Sequence, residues 1–237
     1  VAIWRLLTKS DKSGDEYGAD IRALFEEARL DVKHIEGIAI CSVVPPLDDV
    51  LKRVAEVDFK LTPLFVDHTT DTGLKILYDS SSELGADRIV DAAAGVAKYG
   101  APCIVVDCGT ATTFNAVNAA HEYLGGVIAP GIMISADALF SRAAKLPRVE
   151  IKRPHKVIAT STIGAMQSGL YYGYAGLVDG VLSQMIAELG SQPRVIATGG
   201  LAPLIADGSK FIEEVDRTLT LDGLRLIYER NKSLAAD

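Results

Sequence analysis

A chain of 237 residues is long enough to bury a substantial core, either as one large domain or as two of about 100 residues each. Hydrophobic residues make up 49% and charged residues 23%, a composition that excludes a disordered chain. The formal charge of −7, from 24 basic and 31 acidic residues, comes without a basic block, and no apolar run is long enough to span a bilayer; neither nucleic acid nor membrane is an expected partner.

In chain order, residues 38–44 (IAICSVV) read as a buried strand closed by Pro45 and Pro46, followed by a helix over 47–57 and a short strand over 63–66. A helix over 86–98 leads to CIVVD (103–107), an apolar run between Pro102 and Gly109 with the pattern of a central strand. TTFNAV (112–117) and YLGGVIA (123–129) follow at hairpin-like intervals. Residues 131–145 and 162–189 are helical by pattern. The second carries Gly164, Gly169, Gly173, Gly176 and Gly180, which read either as a face for close helix approach or as a flexible, kinked helix. RVIATGG (194–200) is a strand ending in a glycine turn, and 221–230 is a terminal helix. Alternating strands and helices imply an α/β fold. A boundary near Gly95–Ala101 divides it into residues 1–95 and 96–237. Cys41, Cys103 and Cys108 lack metal-ligand spacing; Cys103 and Cys108 read as small core residues, and a reducing cytoplasm is expected.

Three segments carry candidate chemistry. In Asp107-Cys108-Gly109-Thr110-Ala111-Thr112-Thr113 a carboxylate at a strand end precedes a glycine and hydroxyl residues. Such a turn lets backbone N–H groups and threonine hydroxyls meet phosphate, while the aspartate holds a cation; a hairpin with an Asx-turn has the same signature. It is not a Walker loop. In Gly85-Ala86-Asp87-Arg88 an acid sits at a helix start, where the helix dipole favours it, and the arginine is able to grip a carboxylate through two N–H groups. The alternative is a helix cap with a surface ion pair. Thr198-Gly199-Gly200 is a third possible nucleotide contact, whereas Gly125-Gly126 and Pro130-Gly131 read as turns. His34, His68, His121 and His155 are dispersed, and no serine-hydrolase arrangement is present.

Together these segments resemble type III pantothenate kinases: WRLLT (4–8), DEYG (15–18), CSVVPPL (41–47), GADR (85–88), DCGTATTFNAV (107–117), YLGGVIAPGI (123–132), AMQSGLYYGY (165–174) and ATGGLAPLI (197–205) stand in family order along nearly the whole chain. The resemblance implies two ribonuclease-H-like, actin-like domains with ATP in the cleft between them. It also implies ATP-dependent phosphorylation of pantothenate to 4′-phosphopantothenate with Mg²⁺, a monovalent cation (K⁺ or NH₄⁺) and a homodimer with the site near the subunit interface. It assigns Asp87 as general base and Gly85, Ala86, Asp87 and Arg88 as the pantothenate-binding stretch, with Arg88 on the substrate carboxylate. Tyr78 and Thr162 match further substrate contacts, Asp107 the monovalent-cation position, and Thr110 an ATP contact.

Two departures stand out. The family opens with a strand and an Asp-x-Gly-Asn-Thr phosphate loop, forming an N-terminal hairpin. Nothing of the kind precedes Trp4 in these 237 residues, and the segment is expected to belong to the natural protein. Ala159-Thr160-Ser161-Thr162 stands where the family carries Asn-Thr as the last pair; Thr162 keeps the hydroxyl. Competing readings are a sugar or acetate kinase of the same superfamily, which the GADR stretch disfavours, and a non-catalytic transcriptional accessory factor, which the acidic balance disfavours.

Overall fold

The structure, a computed structural model, describes residues 2–143 and 145–234. Helix α1 (Gly14–Glu27) begins at Ser13, whose hydroxyl accepts the Glu16 N–H while the Glu16 carboxylate accepts the Ser13 N–H, a reciprocal capping box. Strand β1 (Ala39–Ile40), helix α2 (Asp48–Asp58) and strand β2 (Leu64–Phe65) follow, with β1 and β2 paired in parallel. Tyr17 of α1 packs with Leu47 and Val54, and Ile21, Leu51 and Phe59 close the cluster. Both strands are shorter than their apolar runs because the paired register covers two residues. Beyond Ile40 the chain turns, with the Val44 N–H donated to the Ser42 hydroxyl.

The second half holds a six-stranded mixed sheet in the order β3-β6-β5-β4-β7-β8. It comprises β3 (Lys75–Ile76), β4 (Cys103–Cys108), β5 (Ala111–Val117), β6 (Glu122–Pro130), β7 (Arg194–Thr198) and β8 (Glu214–Val215). β4, β5 and β6 form an antiparallel meander, and β7 lies parallel to β4 on its other side. Central β4 is buried on both faces, which is why its sequence is a continuous apolar run rather than an alternation. On one face Ile104, Val106 and Phe114 pack against Tyr174, Val178 and Leu182 of α5 (Thr162–Leu189), a single 28-residue helix. On the other, Cys103, Val105 and Val117 pack against Ile89 and Ala92 of α3 (Ala86–Tyr99).

Helix α7 (Leu219–Leu234) lies against α3. Val90 and Ala93 of α3 and Ile227 of α7 form a further cluster with Val66, Leu64 and Cys41. These two helices therefore form a layer between the small sheet and the large one, and the expected boundary at 95/96 falls inside α3. Helices α4 (Ile132–Arg142) and α6 (Ala202–Ala206) complete the chain; part of the helix expected to reach 145 lies outside the described residues. Among the described residues no helix is long and apolar enough to cross a membrane.

Candidate active site

Asp87 stands in the first turn of α3, where the unpaired N–H groups of the helix end favour a negative charge. Its Oδ1 accepts the backbone N–H of Arg88 at 2.8 Å. Gly85 is needed ahead of it for space: a Cβ there would lie 2.7 Å from that same Oδ1. Asp107 is the penultimate residue of β4, in register with Thr113 of β5 and Thr198 of β7. A two-residue turn, Gly109-Thr110, joins β4 to β5, and exposed Thr110 accepts the Gly131 N–H through its carbonyl at 3.1 Å.

Two further turns are packed on this loop: Pro130-Gly131, which reads in sequence as an ordinary turn, and Thr198-Gly199-Gly200, which reads as a possible nucleotide contact. A Cβ on Gly131 would meet the Thr110 carbonyl oxygen at 2.2 Å, and one on Gly199 would meet Asp107 Oδ1 at 2.5 Å. Gly199 also holds φ +93°, a conformation other residues rarely adopt. The ends of β4, β6 and β7 therefore close on one another without side chains between them. This is the edge of a sheet where α/β proteins take ligands.

The electrostatics bring α3, β4 and β1 together. Burial, and then the Asp87 charge, pushes the Asp107 carboxyl up to about 6. Asp91, one turn beyond Asp87 and only 1% exposed, is pushed up to about 8 by burial and by the charges of Asp107 and Asp87; a 2.6 Å hydrogen bond from the Thr220 hydroxyl opposes the rise. Burial and the same three aspartates push the Cys41 thiol up to about 12. Burial and mutual repulsion thus act on three aspartates of one partly dry region. Among the described residues no three acidic, histidine or cysteine side chains are set to hold a metal ion.

Arg88 is not in a surface ion pair, the alternative its sequence context allowed. It is 6% exposed; its Nε donates to Asn115 Oδ1 at 2.8 Å, and its guanidinium lies 5.9 Å from the Tyr78 ring centre and 6.0 Å from that of Tyr123. Its Nη2 is buried without a hydrogen-bond partner. An orphaned donor on a buried cation is costly, and an anionic group is the partner that would satisfy it best. Beside it lies a cavity of about 400 Å³ whose walls include Tyr78, Glu83, Leu124, Gly125 and Gly126. Gly126 makes the room: a Cβ there would sit 2.9 Å from Arg88 Nη2 and would overlap the Phe114 carbonyl.

The structure therefore gathers Tyr78, Gly85, Ala86, Asp87 and Arg88 around the start of α3, with Asp107 facing Asp87. Thr162 is exposed at the start of α5 and does not line the Tyr78 cavity. Its neighbours Ser161 and Gly164 line another, of about 640 Å³, with Lys152, Arg153 and Lys156. Sequence reasoning missed Asp91 and Asn115. For Asp91 the available signal was its place one helical turn after Asp87; for Asn115, a polar residue inside an apolar strand.

Comparison with known proteins places the chain in a family. The family model described as type III pantothenate kinase matches residues 1–184. A type III pantothenate kinase from Koribacter versatilis is 57% identical over 233 residues, covering 98% of this chain and 85% of that protein. Those of Solibacter usitatus (49% over 231 residues; 98% and 88% covered) and Halalkalibacterium halodurans (52% over 228 residues; 96% and 90% covered) are similar too. A crystal structure of a conserved Baf family protein from Campylobacter jejuni shares the fold, with a TM-score of 0.55 at 20% identity and 89% of each chain covered. The chain belongs to the type III pantothenate kinase family.

Proposed function

We propose that the protein transfers the γ-phosphoryl group of ATP to the primary hydroxyl of pantothenate, giving 4′-phosphopantothenate, the first step of coenzyme A biosynthesis. The observation that carries this reading is Arg88: a buried guanidinium with an orphaned Nη2, next in sequence to a carboxylate at the helix start and beside a cavity of suitable size for a small acid. Arg88 binds the pantothenate carboxylate and Tyr78 forms the cavity wall; Gly85 and Ala86, which line a neighbouring cavity of about 580 Å³, complete the substrate-binding stretch at the helix start. Thr162, remote from this cavity within one chain, joins the substrate site from the second subunit of a homodimer. On α5, Gly169, Gly173, Gly176 and Gly180 form one face on which an added Cβ would meet nothing within 4 Å, a surface that allows close helix approach and supports the dimer.

Asp87 takes the hydroxyl proton. Its Oδ1 is engaged by the Arg88 N–H, and the second oxygen is assigned to the substrate. The alcohol becomes acidic late in transfer, so a weak base held in place suffices. The attacking oxygen and the γ-phosphorus are held in line, and most of the rate comes from that positioning. Thr110 contacts ATP, and Asp107 holds K⁺ or NH₄⁺; the raised carboxyl of Asp107 supports a cation there. Mg²⁺, when bound with ATP, shields the phosphate charge.

The strand order β6-β5-β4-β7-β8 supports one ribonuclease-H-like unit over 96–237. The parallel β1–β2 pair with α1 and α2 supports a second over 1–95, with the nucleotide cleft where β1, α3 and β4 converge. Three free thiols support a cytoplasmic location. Incubation with ATP, Mg²⁺, K⁺ or NH₄⁺ and pantothenate, followed by mass spectrometry, tests the reaction: a pantothenate product heavier by one phosphoryl group is expected, and unchanged pantothenate overturns the reading.

A further inference from the structure

We infer that Asn115 is the positioning residue of the substrate-carboxylate site: it fixes the Arg88 guanidinium so that Nη2, and not Nε, is left for the substrate. This rests on the proposal that Arg88 binds the pantothenate carboxylate.

Asn115 is fully buried in the middle of β5, a position where an apolar side chain is the rule and a polar one needs a reason. Its Oδ1 accepts two hydrogen bonds, from Arg88 Nε at 2.8 Å and from the Tyr123 hydroxyl at 3.0 Å. Its Nδ2 donates to the Thr113 hydroxyl at 3.3 Å, which settles which end of the amide faces Arg88. Two donors hold Oδ1, and Oδ1 holds Nε.

A guanidinium is planar, so holding Nε on Asn115, with the Tyr78 and Tyr123 rings packed beside it, restricts the direction of both terminal nitrogens. The outcome is the orphaned Nη2 beside Gly126. A freely turning Arg88 would have rotated that donor toward the backbone or the solvent, because leaving a charged donor unmet inside a protein costs more than the loss of a few rotamers. Asn115 and Tyr123 prevent the rotation, so the site is preorganised for an anion before substrate arrives. Burial pushes the Tyr123 phenol pKa upward, so its proton stays on the oxygen and the donation to Asn115 is kept.

The test compares Asn115→Leu, Asn115→Asp and wild type with pantothenate and with its primary amide, which lacks the carboxylate. Wild-type turnover of pantothenate is the control for the underlying reading: its absence defeats the Arg88 assignment, not merely the role of Asn115. With the control in place, Asn115→Leu is expected to raise the KM for pantothenate by about tenfold or more, equivalent to about 1.4 kcal/mol of binding. Its kcat and its KM for the amide are expected to stay within about threefold, since a misaligned Arg88 costs only the carboxylate contact. Asn115→Asp retains an Oδ acceptor and is expected to restore the pantothenate KM to within about threefold of wild type. If Asn115→Leu does not fold, Asn115→Thr serves in its place: it is at home in a strand, and its hydroxyl is too short to reach Nε. An unchanged pantothenate KM, an equal loss for acid and amide, or failure of aspartate to rescue would each overturn the inference.

Discussion

Asp87 and Arg88 are adjacent in sequence, yet their environments assign them different work. Asp87 is half-buried at a helix start and faces Asp107; Arg88 points the other way, into the sheet, and ends against Asn115. Asp87→Asn should therefore lower kcat by about 10²–10⁴-fold with a much smaller change in pantothenate affinity, measured by steady-state kinetics and calorimetry, because the amide keeps the shape and loses the base. Asp91 is a different case. Its carboxyl rises from 3.8 to about 8 in the folded chain. Between those values the folded state holds a proton that the unfolded state has released, so stability falls as pH rises through that window. Asp107, raised to about 6, adds to the slope in its lower part. The effect of Asp91→Asn should accordingly be clearest above pH 6: the Tm of wild type declines toward about pH 8, and that of the variant stays flatter. A decline of equal steepness in both would show that Asp91 is not the group responsible.

Among the elements, α3 is the one on which the site depends, since it carries Asp87, Arg88 and Asp91 and is held by the large sheet on one side and α7 on the other. Gly95 and Gly223 permit those contacts: a Cβ at Gly95 would lie 2.5 Å from Val105, and one at Gly223 would lie 2.7 Å from the Val90 carbonyl oxygen and 3.0 Å from the Ala94 Cβ. Gly223→Ala should push α7 off α3 and cost about 1–3 kcal/mol, read as a lower Tm in thermal unfolding. Long elements with one burial pattern were readable from sequence: α3, α5 and β4 agree with the periodicity almost residue for residue. Of the two-residue strands, β1 and β2 lie inside the runs read as strands over 38–44 and 63–66, whereas β3 and β8 were not readable; pairing partners, not local composition, decide where such strands form and stop. Helix α1 was readable and went unread; Ser13 and Glu16 carry its capping box, and Tyr17 and Ile21 its packed face. At the site, GADR and DCGT were visible as motifs. The Arg88–Asn115 and Asp91–Thr220 hydrogen bonds join residues 27 and 129 positions apart, and only the folded chain reveals them.

For the whole molecule, these placements bring Asp87 and Asp91 of α3 within electrostatic reach of Asp107 of β4 and leave Nη2 of one buried arginine unpaired. In the proposed reaction a cation answers the first and the substrate carboxylate the second, so catalysis should need both. The proposed dimer puts the open glycine face of α5 at the subunit contact. Gly173→Arg on that face should convert a species of two chains into one in sedimentation, and should raise the pantothenate KM if Thr162 reaches the site from the second subunit. The account as a whole is tested most directly by ADP release from ATP and Mg²⁺ by the intact protein, measured with pantothenate and K⁺ or NH₄⁺ each present or withheld. ADP release that requires both pantothenate and the monovalent cation is the predicted result. Release indifferent to pantothenate, or none with every component present, would contradict it.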